Sequence, residues 1–365
     1  MKKILIAGAT GVTGTALVRH FAAQREWSVM STARREPWIA TDGVTHVCAD
    51  LLDAAGCREA FASMRDVSHI VYAALNENEA DIVKGWGEPE QAHKNVTMLA
   101  NLLDPFVSAQ GNAFRHITLI HGMKAYGSHR PDRKASLPYK ETDPTFEELN
   151  FYHLQHEYVR EQAEGADWDW TVLRPNGTIG VAVGGNLNWS LVLGVFAALC
   201  AEAGEDLPMP PGETALTEIT DADILAEACD WAATNPVARN EVYNITNGDI
   251  LAMHDVYSVL AAEYGLRLKA PAPFVLSKEL ARLAPLWPEM VRRHQLDAPT
   301  DLSSLLGATP QVVDVWGEAL PPERKLLSGL SSTIKLRQAG FGACADSTET
   351  FAKYIRRYRQ LKILP

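Results

Sequence analysis

Gly8-Ala9-Thr10-Gly11-Val12-Thr13-Gly14 decides the fold of this chain. The stretch closes an apolar run, Lys3-Ile4-Leu5-Ile6-Ala7, that reads as a buried strand. It opens Thr15-Ala16-Leu17-Val18-Arg19-His20-Phe21, which reads as a helix. Strand, Gly-rich turn and helix in that order make a dinucleotide site. The first Gly permits a tight turn, the second lets backbone approach a pyrophosphate, and the third lets the helix pack on the strand. The helix start, with Thr10, Val12 and Thr13, offers free N–H groups and a partial positive charge to the phosphates.

Outward from this turn, strands and helices alternate. Trp27–Ala33, Val44–Ala49, His69–Ala74, Phe114–Ile120 and Trp170–Arg174 read as strands two to six, and helical patterns run over Gln91–Ala109 and Phe146–Gly165. Such alternation predicts an α/β fold with a doubly wound parallel Rossmann sheet. After Pro175 long helical stretches and Pro-rich connections such as Leu207-Pro208-Met209-Pro210-Pro211 take over, and one strand, Glu241–Ile245, returns to the sheet. The expected division is a nucleotide-binding domain over 1–175, rejoined by about 213–250, and a smaller, mostly helical substrate lobe over 176–212 and 251–365.

The 365 residues are 47% apolar and 22% charged, ordinary for a globular protein. A net charge of −11 argues against nucleic acid as a partner. The basic run Arg356-Arg357-Tyr358-Arg359 reads as one solvated helix face. Five scattered cysteines, without a CxxC pair, fit a reducing cytosol and offer neither a metal nor a disulfide framework. The apolar run after Met1-Lys2-Lys3 is too short for a signal peptide. Trp189–Ala201, the longest uncharged apolar stretch, falls short of the roughly 20 residues of a membrane span and reads as a buried helix. The expected location is the cytoplasm.

The second strand ends in Arg34-Arg35. An acidic residue there holds the ribose of NAD, whereas Arg accommodates the 2′-phosphate of NADP. The pair therefore points to NADPH, against a bland alternative of two exposed loop arginines. Asp50 and Leu51, after the third strand, are placed near the adenine, with an N-cap role open for Asp50. Ala73 and Ala74 end the fourth strand on the cofactor side. The glycine spacing GxxGxxG is typical of short-chain dehydrogenases, which normally carry Tyr-x-x-x-Lys. Tyr152 stands at the Tyr position, but one helical turn later comes His156. The fifth strand leads into Gly122-Met123-Lys124-Ala125-Tyr126-Gly127, with Gly122 where extended members carry a Ser and a Lys two residues on.

With Asn150-Phe151-Tyr152-His153, Arg174-Pro175-Asn176-Gly177-Thr178-Ile179-Gly180 and Asn240–Asp249, these segments resemble the progesterone 5β-reductase/iridoid synthase-like branch of the extended short-chain dehydrogenases along nearly the whole chain. The resemblance implies NADPH-dependent 1,4-reduction of a small enone or enal. Hydride adds to the β-carbon, charge builds on the carbonyl oxygen as an enolate, Tyr152 donates a hydrogen bond to it and Lys124 adds positive field. It also implies that Pro175 and the backbone up to Ile179 hold the nicotinamide carboxamide, that Asn95 lies on a cofactor-side helix, and that a homodimer is a family-level option. Structurally, Pro175 also suits a strand end, Asn95 a cap or buried hydrogen-bond hub, and Trp86, Trp189 and Phe196 either a pocket or core. His153, where the family has a second Tyr, and the absence of a Trp at Ala73-Ala74-Leu75-Asn76 depart from the pattern, so plant substrates do not carry over. Two other readings stand beside this one. A carbonyl reductase or sugar-nucleotide epimerase/dehydratase would want the missing Ser and Lys; a non-catalytic NADP-sensing regulator would not need Tyr152 and Lys124.

Overall fold

The computed structural model describes residues 1–78, 82–108, 111, 113–128, 137–144, 149–210, 216–317 and 329–365. Its elements run β1 (Lys2–Ala7), α1 (Val12–Ala22), β2 (Trp27–Ala33), β3 (Thr45–Cys48), α2 (Ala54–Phe61), β4 (His69–Tyr72), α3 (Ile82–Gly85), α4 (Pro89–Val107), β5 (His116–Ile120), α5 (Phe151–Ala163) and β6 (Asp169–Pro175). There follow β7 (Thr178–Ile179), α6 (Trp189–Ala203), β8 (Leu216–Thr217), β9 (Thr220–Asp221), α7 (Ala222–Thr234) and β10 (Glu241–Ile245). The expected helix limits at Ala109 and Phe146, Pro211, and the boundary near 212–213 lie outside the described residues.

Seven strands form one sheet in the order β10-β6-β5-β4-β1-β2-β3, with every neighbouring pair parallel. This is the expected doubly wound α/β arrangement. Ile4, Leu5, Ile6 and Ala7 are all fully buried, the continuous apolar pattern of a strand covered on both faces. The strand order reverses between β1 and β4, and the ends of these two strands open the crevice in which such sheets bind ligands.

The chain divides into two compact units. The first comprises Met1–Asn176, Ala222–Thr246 and Ser331–Ala343 and contains the sheet. Phe61, Leu99, Leu102, Leu103 and Phe106 from α2 and α4 pack with Leu5, Ile70, Ile117 and Leu119 of the strands into its core. Helix α1 packs on α7, where Arg19 pairs with Asp223 and the His20 ring lies 3.2 Å from Asp230.

The second unit comprises Gly177–Asp221, Asn247–Leu330 and Cys344–Pro365. In it α6 is buried from Ser190 to Cys200, as an uncharged apolar run requires, and packs on Met253–Tyr264 and the final helix Ser347–Gln360. Phe196 is a core residue there, stacked on Phe274. The basic run of the final helix is not one solvated face. Arg356 and Arg359 pair with Glu263, but Tyr358 is fully buried and donates a hydrogen bond of 3.1 Å to the Gly180 carbonyl. Among the described residues no helix is long and apolar enough to cross a membrane.

Candidate active site

The glycine turn closes against the end of β4. Gly8 has φ +82°, and a Cβ there would stand 2.6 Å from the Ala73 carbonyl carbon and 2.7 Å from the Ala74 nitrogen. At Gly14 a Cβ would overlap the Gly8 carbonyl oxygen and lie 2.7 Å from Ala9 Cα, so α1 packs on its own turn only without a side chain. Gly11 differs: its nearest neighbour would be 3.5 Å from a Cβ. It is the N-cap of α1, with no capping side chain and no acidic residue in the first turn. Backbone N–H groups at the helix start are thereby left to an anion, which fits a dinucleotide pyrophosphate. Thr10, Val12 and Thr13 around it are partly exposed. Gly14→Ala is expected to cost about 3 kcal/mol or more, because the atom it meets is backbone; the unfolding midpoint in denaturant measures it.

Arg34 and Arg35 are exposed at the end of β2. Asp50 is also exposed; its carboxylate accepts from Leu52 N at 3.0 Å, while the cap of α2 is Asp53. Leu51 is buried, and its carbonyl accepts from Asn101 at 2.8 Å. Asn95 is the buried hub: its carboxamide accepts from Asn76 N at 2.8 Å and donates to the Asn76 and Gln91 carbonyls at 2.9 Å. It fixes the loop that follows Ala73 and Ala74. Pro175 ends β6 and is buried, whereas Ile179 belongs to the second unit, on β7.

Lys124 and Tyr152 come together from different elements. Lys124 lies on a single 3₁₀ turn, Met123–Tyr126, after β5, and Tyr152 lies in the first turn of α5. Asn150, the N-cap of α5, joins them: its side chain accepts from Tyr152 N at 2.9 Å and donates to the Lys124 carbonyl at 2.7 Å. The His153 ring, 2.9 Å from the Ala125 carbonyl, makes a second tie. The Lys124 Nζ is buried without a hydrogen-bond acceptor among the described residues. It stands 4.1 Å over the Trp86 ring and 6.0 Å from the centre of the Tyr152 ring. Burial pushes its pKa down to about 8, against a smaller upward pull from Glu77. Burial and then the Glu77 charge push the Tyr152 phenol well above its ordinary range, so it stays protonated. Beside it, a Cβ on residue 122 would lie 3.4 Å from Tyr152 Oη. Gly122 therefore leaves open the space that a Ser would take.

His156 does not replace the missing Lys. Its ring packs edge-on against Trp170 at 4.5 Å, and burial followed by the Arg174 charge lowers its pKa to about 4. His121 stacks on the Tyr152 ring at 4.6 Å, and burial holds it neutral. The sequence reading assigns roles to neither His121 nor Asn150. For Asn150 a signal existed, since Asn directly before a helical pattern is a strong N-cap. For His121 none did.

The NAD dependent epimerase/dehydratase family matches residues 4–246. A 3-oxo-Delta(4,5)-steroid 5-beta-reductase of Arabidopsis thaliana is 27% identical over 99% of this chain and 92% of its own length. An (S)-8-oxocitronellyl enol synthase of Antirrhinum majus shows the same identity and the same coverage of both chains. These are names of the branch that the sequence motifs resemble. Among solved structures, the Bordetella bronchiseptica enzyme WbmG in complex with NAD and UDP superposes with TM-score 0.66 at 16% identity, covering 99% of this chain and 96% of its own. The UDP-glucose 4-epimerase of Thermotoga maritima gives TM-score 0.65 at 14% identity, covering 98% and 99%. At such identities these two structures speak for the fold. With its family match spanning the parallel sheet and the glycine turn, the chain belongs to the NAD dependent epimerase/dehydratase family.

Proposed function

We propose that this chain is an oxidoreductase that uses NADPH to reduce the conjugated double bond of a small enone or enal. One observation carries the reading: a buried phenol and a buried ammonium converge from two elements, and among the described residues the ammonium has no hydrogen-bond acceptor. A buried ammonium without a hydrogen-bond acceptor is costly, and a ligand oxygen that gathers negative charge would supply one. A 3-oxo-Δ4,5-steroid, named as the substrate of one relative, is a conjugated enone.

The turn from Gly8 to Gly14 would hold the pyrophosphate, Arg34 and Arg35 the 2′-phosphate, and Pro175 with the backbone after it the carboxamide. Bound there, the nicotinamide supplies a hydride to the β-carbon of the substrate. Tyr152 donates a hydrogen bond to the carbonyl oxygen as charge collects on it, and Lys124 adds its field without giving up a proton. Each such preorganised group is worth roughly 3–4 kcal/mol where water is excluded. The enolate needs stabilisation rather than immediate protonation at oxygen, so a Ser beside Tyr152 is dispensable. The α-carbon takes its proton from solvent.

NADPH absorbance separates the readings. Oxidation with 2-cyclohexen-1-one and not with a simple aldehyde is the expected result; oxidation with the aldehyde alone makes the protein a carbonyl reductase. The double variant Arg34→Glu/Arg35→Glu is expected to raise KM for NADPH roughly 100-fold or more, since two charge-assisted contacts are lost. KM for NADH should change much less, and equal losses with both nucleotides would remove the arginines from the 2′-phosphate.

A further inference from the structure

We infer a thiolate-ligated site for a zinc-class divalent cation at the ends of β2 and β3, formed by Glu36, His46 and Cys48. Residues 46 and 48 share one face of β3, as alternate strand residues do. The register pairs Ala33, the last residue of β2, with Cys48, which brings the segment after β2 alongside. A carboxylate oxygen of Glu36, one ring nitrogen of His46 and Cys48 Sγ all lie within 4.8 Å of one another. Cys48 Sγ donates to Glu36 Oε1 at 3.3 Å. Ligand atoms around a tetrahedral zinc, with bonds of about 2.0–2.3 Å, stand roughly 3.3–3.8 Å apart. The triad needs only a small contraction to meet that spacing.

The imidazole is already oriented. Its Nε2 donates to the Arg35 carbonyl oxygen at 3.2 Å, and Nδ1 accepts from Oγ of Ser31, a buried residue of β2, at 2.8 Å; ligation through Nε2 moves the ring proton to Nδ1, which then donates to the same Oγ. Outer hydrogen bonds of this kind fix the tautomer of a metal-bound His. One sulfur, one nitrogen and one carboxylate form a borderline-soft set that suits zinc or cobalt(II) and not magnesium or calcium. Glu36 and Cys48 are exposed, so an ion can enter and keep water in its fourth position. On binding, the thiol proton leaves to solvent and the S–H bond to Glu36 is replaced by a sulfur–metal bond.

Titration of the reduced full-length protein with Co2+ tests the site. The expected result is one saturating equivalent, a thiolate-to-cobalt charge-transfer band, four-coordinate visible bands, and loss of both on adding Zn2+. Cys48→Ser should abolish the charge-transfer band, and His46→Ala should weaken binding at least about tenfold. Cys344→Ser, at the other exposed cysteine, should change nothing. The absence of a thiolate band, its survival in Cys48→Ser or its loss in Cys344→Ser would each overturn the assignment. The unfolding midpoint of every variant confirms that the fold is intact, as expected for side chains at this surface.

Discussion

Tyr152→Phe is expected to lower kcat for a cyclic enone about 10²–10³-fold while leaving the affinity for NADP+ unchanged. The substitution deletes one hydroxyl and keeps the ring. Stacking on His121 at 4.6 Å and contact with Phe151 at 4.2 Å both survive, so stability should stay within about 1 kcal/mol. Among the described residues, no hydroxyl stands where a Ser at residue 122 would. Residue 122 is Gly, the His121 ring stacks on the Tyr152 ring, the His156 ring packs against Trp170, and the Lys124 ammonium stands over Trp86. The phenol itself is held well above its ordinary range, so its contribution is that of a protonated donor at every working pH. Steady-state kinetics with the enone, alongside an NADP+ titration, separates this from a binding defect. A variant within threefold of wild-type kcat would remove Tyr152 from the reacting centre.

Much of the frame was legible because it depends on local sterics. A side chain at Gly8 or Gly14 meets backbone, so the strand–turn–helix pattern has few other solutions. Strands Trp27–Ala33 and Glu241–Ile245 appear with the limits their apolar runs suggest. What stayed hidden was contact across distance. Nothing in the spacing of residues 124 and 150 says that one amide will hold the carbonyl of the other's loop. Asn95 carries the same chemistry whether it faces a ligand or a loop, and only the fold turns it to Asn76. Arg356-Arg357-Tyr358-Arg359 looks solvated because charge dominates the run, yet the helical period turns Tyr358 inward. Nor does composition mark the return of Ser331–Ala343 to the first unit, where Lys335 reaches Glu241 and the Val242 carbonyl.

Lys124→Met should make the protein both more stable and nearly inactive. In the fold the ammonium is buried and its pKa falls from 10.5 to about 8. The unfolded chain therefore keeps its proton at a pH where the folded chain has lost it, so this group opposes folding fully below pH 8 and progressively less up to 10.5. At pH 7 that opposition is about 3 kcal/mol, which a Met of similar length relieves. Denaturant unfolding should show the variant more stable at pH 7, with the difference closing as pH rises towards 10.5. Activity should move the other way. Wild-type kcat/KM with the enone is expected to fall as pH rises through about 8, where the free enzyme loses the ammonium, and the Met variant should keep about one hundredth of the rate with no such fall. Tyr152 cannot produce this inflection, because its own ionisation lies far higher. Stability and rate thus read the same proton from opposite sides: the charge that disfavours the empty site is the one that meets the substrate oxygen. A Met variant that gained stability yet kept the wild-type rate and pH profile would leave the buried ammonium without a part in the reaction.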